Sequence, residues 1–117
     1  MRYVDGFVVA VPAANKQKYV DLATRASAVF KDYGATRVVE CWGDDVPTGK
    51  LTDFYGAVKA EPGEVVVFSW IEYPSREARD RVNQEAMKDP RMSGMEADMP
   101  FDGKRMIFGG FVPLLDE

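Results

Sequence analysis

The carboxylates of residues 43–63 are the first candidates for chemistry. Asp44, Asp45 and Asp53 could together hold a hard cation through their oxygen atoms. Such cation-binding loops have glycine between their ligands, and this stretch lacks that pattern, so the sequence predicts no metal site. Two carboxylates can also act as general acid and general base when their surroundings differ. Asp44 and Asp53 are therefore candidate proton carriers.

Composition removes the commonest catalytic residues. The chain contains no histidine and a single cysteine, Cys41. Serine–histidine–aspartate, cysteine–histidine and histidine-based zinc chemistry are excluded, because each needs an imidazole. Cys41 has no basic neighbour in sequence to activate it and is predicted to be a buried structural thiol. Only carboxylates, tyrosines and lysines remain for proton transfer.

Arg105 is the candidate for recognising an anion. It stands near the start of the last predicted strand, where a guanidinium can bind a carboxylate or an enolate through two hydrogen bonds. The same position also suits a salt bridge at the rim of the sheet. Both interpretations remain open from the sequence.

Nucleotides and nucleic acids are excluded by motif and by charge. Gly43 and Gly49 are separated by five residues where a phosphate-binding loop has four, and Leu51 follows Lys50 where serine or threonine would hold magnesium. A net charge of -4 opposes the neutralisation of phosphates. The sequence therefore predicts no nucleic-acid partner and no cofactor.

The methionine segment, residues 92–101, is a second stretch without regular periodicity. It contains three of the chain's six methionines, Met92, Met95 and Met99, followed by Phe101. Methionine fills uneven gaps and adapts to varied apolar partners. The segment is therefore either a loop packed against the sheet or a second subunit, or a flexible apolar lid over a pocket.

Trp42 and Trp70 also allow two interpretations, because an indole packs in a core or an interface as readily as it stacks on a ligand.

Apolar periodicity places these side chains on a β-α-β-β-α-β framework. Strands are predicted at residues 3–11, 35–42, 64–73 and 104–112, and helices at residues 15–33 and 76–89, capped by Asn15 and Ser75. This order is the α+β ferredoxin-like motif, in which right-handed crossovers put both helices on one face of a four-stranded antiparallel sheet. Residues 1–117 are predicted to form one domain.

Both faces of the predicted strands are apolar. The third strand carries two apolar sets of alternating residues: Val65, Val67 and Ile71, and Val66, Phe68 and Trp70. Two helices cover only one face, and the other would expose more apolar surface than a monomer usually does. A second copy can cover it through a two-fold contact, so the sequence predicts a homodimer whose sheets close into a barrel.

The chain has no apolar run long enough to cross a membrane, and its first residues do not resemble a secretion signal. A cytoplasmic protein without a membrane partner is expected.

Three blocks resemble the YbaA-like family of uncharacterised bacterial proteins: CWGDDVP at residues 41–47, FSWIEYPS at residues 68–75, and DMPFDGKRMIFGGF at residues 98–111. The resemblance covers essentially the whole chain and implies the dimeric α+β barrel fold. It implies no catalytic residue, because the family has no established activity. More distant members of the barrel superfamily include cofactor-independent monooxygenases, isomerases and small-ligand binders.

The leading hypothesis is a cytoplasmic homodimer that binds a small, partly apolar organic molecule where residues 43–63 and the methionine segment approach the sheet. The candidate lining residues are Trp42, Asp44, Asp53, Trp70, Met99, Phe101 and Arg105. In an enzymatic version, an oxygenase or an isomerase of an enolisable substrate, Arg105 would stabilise oxyanion charge and Asp44 or Asp53 would move a proton.

The alternative is a non-catalytic sensor or protein-interaction module whose loops only complete the dimer interface. A cavity of at least roughly 300 Å³ with converging polar groups favours ligand binding, and solidly packed loops favour the alternative.

Overall fold

Four antiparallel strands form one sheet, in the order β2-β3-β1-β4. The computed structural model describes residues 1–117, and its strands are β1 (Tyr3–Pro12), β2 (Arg37–Trp42), β3 (Glu64–Tyr73) and β4 (Ile107–Phe111). The valine-rich runs become the central pair, β1 and β3, because β-branched residues favour extended backbone and pack well on a sheet.

Two long helices, α1 (Lys16–Tyr33) and α3 (Arg76–Ala86), pack on the same side of the sheet, which is the helix face. Tyr19 of α1 packs on Val9, Val11 and Val67, and Val82 of α3 packs on Ile71. The ferredoxin-like α+β fold predicted from the sequence is confirmed.

The other side of the sheet is the open face. Residues directly opposite each other on paired strands point to the same face. The register therefore places Phe68 and Trp70 of β3 with Val8 of β1 and Val39 of β2 on the open face. Their sequence neighbours, such as Ser69, point to the helix face.

The long loop of residues 43–63 covers one end of the open face. It contains a single helical turn, α2 (Phe54–Ala57), which the sequence did not predict. Val58, just after α2, is fully buried against Ala10 and Val66, and the Phe54 ring meets the Phe68 ring edge-on at 6.2 Å.

Several predicted boundaries were wrong. The Asn15 side chain does not cap α1; its Nδ2 donates instead to the Pro100 carbonyl at 2.9 Å, and α1 begins at Lys16. β4 begins at Ile107, because Gly103–Arg105 form a 3₁₀ turn.

Two further boundaries differ from the prediction. β2 begins at Arg37 instead of residue 35. α3 ends at Ala86 instead of residue 89, and Asp89 is extended because Pro90 follows it. Ser75 caps α3 as predicted, accepting a hydrogen bond from the Ala78 amide at 3.1 Å.

A buried ion pair fastens α3 to the sheet. Asp5 of β1 is 5% exposed and lies 3.4 Å from Nη1 of Arg79. Burial raises the pKa of Asp5, and the Arg79 guanidinium opposes the rise. Arg79 Nη2 also donates to the Tyr3 hydroxyl at 3.1 Å. A Cβ at Gly110 would collide with that hydroxyl, so the cluster requires glycine there.

None of the helices has both the length and the hydrophobicity needed to span a lipid bilayer.

Candidate functional site

A cavity of about 310 Å³ lies between α1 and the helix face of the sheet. Three strands form its floor, α1 forms one wall, and the methionine segment forms its roof. Apolar side chains dominate the lining, including Phe7, Val9, Leu22, Ala23, Ala26, Phe30, Val38, Ile71 and Phe101. The volume is at the lower end of the range of small-molecule sites.

Five of the six methionines line this cavity: Met87, Met92, Met95, Met99 and Met106. The methionine thioether is flexible and polarisable, so such a lining can adapt to ligands of different shape. Rigid aliphatic side chains would specify one shape more strictly.

The methionine segment is tied to both ends of α1. Next to its start, Asp89 accepts a hydrogen bond from the Tyr33 hydroxyl at 2.8 Å, and Arg91 donates to Asp32 at 2.8 Å. Both Asp32 and Tyr33 belong to the last turn of α1.

At the far end of the segment, Asn15 holds the Pro100 carbonyl and Lys18 forms an ion pair with Asp98. Between the two ties, Gly94 adopts a left-handed conformation with φ 78°. The segment therefore spans the cavity as a roof fixed at its two ends.

One polar cluster interrupts the apolar lining. Glu40 of β2 faces Ser69 of β3 in the register, and its Oε1 accepts a hydrogen bond from the Tyr19 hydroxyl of α1 at 2.6 Å. All three residues line the cavity; Tyr19 and Ser69 are buried, whereas Glu40, on the edge strand β2, is exposed. No basic side chain pairs with Glu40.

The surroundings of this cluster change its acid–base properties. Burial raises the pKa of Glu40, and the hydroxyls of Tyr19 and Ser69 partly offset the rise by hydrogen bonding to the carboxylate. Burial, with the adjacent Glu40 charge, also raises the pKa of Tyr19 far above its usual value. The cluster can accept a hydrogen bond or a proton from a molecule in the cavity.

Of the seven candidate lining residues, the structure brings only Met99 and Phe101 to this cavity. Phe101 packs on Tyr19 with ring centroids 5.7 Å apart. Met99 remains 39% exposed at the roof.

The two tryptophans lie on opposite faces of the sheet. Trp42 is half-buried on the helix face, next to Val67, and the Lys16 ammonium lies 5.3 Å from its ring centroid. Trp70 lies on the open face, where its Nε1 donates to Glu72 at 2.9 Å.

The carboxylates of the 43–63 loop lie outside the cavity. Asp44 is exposed. Asp53 caps α2: its Oδ1 accepts from the Gly56 amide at 2.6 Å and its Oδ2 from the Gly49 amide at 3.1 Å. These bonds lower the pKa of Asp53. No group of three or more Cys, Asp or Glu side chains is arranged to hold a metal ion.

Arg105 is fully engaged within the protein. Its guanidinium binds both oxygens of Glu64, at 2.7 and 2.8 Å, and also donates to the Lys59 carbonyl at 2.8 Å. This is the salt bridge that the sequence left open as one interpretation of Arg105. It joins the end of the 43–63 loop to the turn before β4.

The Glu64–Arg105 pair predicts a pH dependence of stability. Arg105 lowers the pKa of Glu64 below its ordinary 4.5, so the pair stabilises the fold above that pH, and the stabilisation is lost as the pH falls towards the folded-state pKa. We expect Glu64→Gln to lower the free energy of unfolding at neutral pH and to flatten its decline in acid. Urea titrations at a series of acidic pH values measure the free energy of unfolding. The control is Glu77→Gln, because Glu77 is an exposed residue of α3. If the free energy of unfolding of Glu64→Gln falls as steeply in acid as that of the wild type, the predicted role of this pair is contradicted.

The two irregular segments do not meet in one pocket, as the sequence had suggested. The 43–63 loop packs on the open face through Val58, whereas the methionine segment roofs the cavity on the helix face. The sheet separates them.

The part of the open face that the loop leaves uncovered is apolar. It forms a shallow depression of about 600 Å³. Phe68 is 46% exposed, Ile107 45% and Phe111 60%. Cys41, which pairs with Phe68 in the register, is also exposed on this face, so the prediction of a buried thiol was wrong.

Sequence reasoning missed Tyr19, Glu40 and Ser69. Each stands at an inward position of its element: Tyr19 in the apolar stripe of α1, Glu40 between Val38 and Trp42, and Ser69 between Val67 and Ile71. A charged residue at an inward strand position is the pattern that could have identified Glu40.

Comparisons with known proteins identify the family of this chain. A family model described as "Protein of unknown function (DUF1428)" matches residues 2–103. The Escherichia coli (strain K12) protein called "Uncharacterized protein YbaA" is 62% identical over 117 residues, with 100% of both chains covered.

Two crystal structures of dimeric ferredoxin-like proteins from an uncultured marine organism are also similar. The first has a TM-score of 0.65 and 8% identity and covers 99% of this chain and 98% of its own. The second has a TM-score of 0.56 and 11% identity, with 98% and 97% covered. At these identities the likeness shows the fold alone. The resemblance found in the sequence blocks is thus confirmed along the full chain, and the chain belongs to the DUF1428 family.

Proposed function

We propose that this protein is a cytoplasmic homodimer that binds one small, predominantly apolar organic molecule in the helix-face cavity of each protomer. The observation that carries the proposal is the convergence of Glu40, Tyr19 and Ser69 in a predominantly apolar cavity of about 310 Å³. A large apolar surface with a few converging polar groups is the usual construction of a ligand site.

The position of Glu40 supports binding over a purely structural role. Glu40 is exposed on the edge strand β2, but its carboxylate loses part of its hydration beside the cavity and has no basic partner, and this loss costs folding free energy. A carboxyl that served packing alone could be replaced by an apolar side chain at lower cost. A hydrogen-bond donor on a ligand would compensate this cost.

In an enzymatic version of this function, Glu40 is the group that moves a proton. Asp44, Asp53 and Arg105 lie outside the cavity, so the roles that the sequence suggested for them do not apply there. Burial raises the pKa of Glu40, which makes its carboxyl a better proton acceptor than an ordinary glutamate and suits it to general acid or base catalysis.

The apolar part of the open face supports the homodimer. The aromatic residues exposed there include Phe68 and Phe111, and a two-fold contact lets one apolar patch cover its own copy. Both marine proteins of the same fold are described as dimeric. The cavity and this interface lie on opposite faces, so each protomer keeps its own site.

The competing function, an interaction module without a ligand, draws support from the 43–63 loop. Val58 and Tyr55 of this loop pack solidly on the open face, as expected of a segment that only completes an interface. The methionine segment differs, because it encloses open volume.

Ala26→Leu tests the proposed function. Ala26 lines the cavity, and three added carbon atoms would occupy part of its volume, whereas Ala28 on the same helix is exposed. In a thermal-shift screen of a metabolite library, we expect compounds that stabilise the wild type and Ala28→Leu to lose at least about tenfold in affinity for Ala26→Leu. No stabilising compound at all would favour the interaction module, and unchanged binding to Ala26→Leu would overturn the cavity as the ligand site.

A further inference from the structure

The charged groups of the cavity all have the same sign. Glu40 on the floor and Glu96 on the roof are its only ionisable carboxylates, and no lysine or arginine lines it. The chain has 15 lysine and arginine residues, so the absence of both from this cavity does not follow from the composition. Lys18, which adjoins the roof, pairs with Asp98 and does not line the cavity. An anionic ligand would meet repulsion without a compensating cation.

The apolar walls accept positive charge better than negative charge. Four aromatic rings line the cavity, those of Phe7, Tyr19, Phe30 and Phe101. The face of an aromatic ring attracts a cation, and thioether sulfurs are weak acceptors with no donor to offer an anion. Methionine and aromatic walls together can therefore hold an apolar body that carries a positive group.

Glu40 has the geometry to receive that group. The Tyr19 hydroxyl donates to Oε1 at 2.6 Å, and the carboxylate keeps further acceptor sites because each of its oxygens can accept two hydrogen bonds. Ser69, opposite Glu40 in the register, adds a hydroxyl beside it. An ammonium at this point would supply the opposite charge that Glu40 lacks within the protein.

On the basis of the proposed ligand-binding function, we propose that the ligand class is a hydrophobic amine. Its ammonium binds Glu40, and its apolar body lies under the methionine segment against the aromatic rings. Alkyl and arylalkyl amines are protonated at neutral pH, so the ligand enters as a cation.

Three probes of matched shape test the charge preference. Phenylbutylamine, phenylbutanol and phenylbutyrate share one apolar body and carry a positive, a neutral and a negative end group. By isothermal titration calorimetry at neutral pH, we expect the amine to bind wild type at least about tenfold more tightly than the alcohol, and the carboxylate to bind most weakly.

Glu40→Gln removes the charge and keeps the shape. We expect the amine to lose about tenfold in affinity for this variant while the affinity for the alcohol changes less than about twofold. Unchanged alcohol binding also shows that the variant is folded with its cavity intact. Glu77→Gln, an exposed carboxylate on α3 outside the cavity, should leave all three affinities unchanged.

The outcomes separate the two proposals. Equal or tighter binding of the alcohol or the carboxylate to wild type would overturn the amine preference and leave ligand binding supported. Equal loss of amine and alcohol affinity in Glu40→Gln would also overturn it, because the effect would then come from the cavity and not from charge. If none of the three probes binds wild type, the amine proposal is contradicted, and the metabolite screen with Ala26→Leu decides separately on ligand binding.

Discussion

Phe68→Lys is expected to convert the proposed homodimer to a monomer at micromolar concentration. Phe68 is 46% exposed in the protomer and lies on a central strand of the open face. Losing its burial costs about 2 kcal/mol per copy. A two-fold interface contains each residue twice, so the loss is about 4 kcal/mol, or roughly a 1,000-fold weaker dimer. Sedimentation velocity over a concentration series measures this.

Two further variants make the dimer experiment decisive. Phe111→Lys, on the same face and 60% exposed, should act in the same direction and guards against a folding defect specific to Phe68. Val20→Lys, 44% exposed on α1, changes a side chain of similar exposure on the other side and should leave the dimer intact. A wild type that sediments as a monomer, or a Phe68→Lys variant that stays dimeric, would contradict the proposed interface.

Asp5→Ala is expected to destabilise the protomer by about 3 kcal/mol, because it leaves the largely buried Arg79 guanidinium without its partner on the sheet. This loss is at the low end of the range for broken buried ion pairs, because Asp80 still lies 3.1 Å from Arg79 Nε and partly balances its charge. The measurement is the free energy of unfolding from urea titration. Asp80→Asn, which alters a more exposed carboxylate, should cost less than about 1 kcal/mol.

A double-mutant cycle separates the ion pair from simple loss of packing. In Asp5→Ala/Arg79→Met, no buried charge remains unpaired, so the double variant should be more stable than the sum of the two single effects by at least about 1 kcal/mol. Additive effects would show that Asp5 and Arg79 contribute independently.

The architecture could be predicted from the sequence because local patterns and long-range packing agree. The valine run of β3 and the apolar stripe of α1 each specify one element, and the β-α-β-β-α-β order leaves few ways to assemble them. The errors fall at ends such as Asn15, where a tertiary contact with Pro100 takes the side chain that a local rule assigns to capping.

The site was less predictable for a physical reason. Both faces of the strands are apolar, so alternation could not tell which face meets the helices, and Cys41, which was predicted to be buried, is exposed on the open face. Arg105 and Asp53 carry suitable chemistry, but the fold uses both to fix loops. Composition indicates which groups are present, and only the register shows which of them share a cavity.

The single sheet between cavity and open face has a consequence for how this family can vary. Along β3, Phe68 and Trp70 point to one face while Ser69 and Ile71 point to the other. Systematic substitution along this strand should therefore give phenotypes that alternate residue by residue between assembly of the proposed dimer and affinity for the proposed ligand. Evolution could change what one side recognises while the other side stays under separate selection.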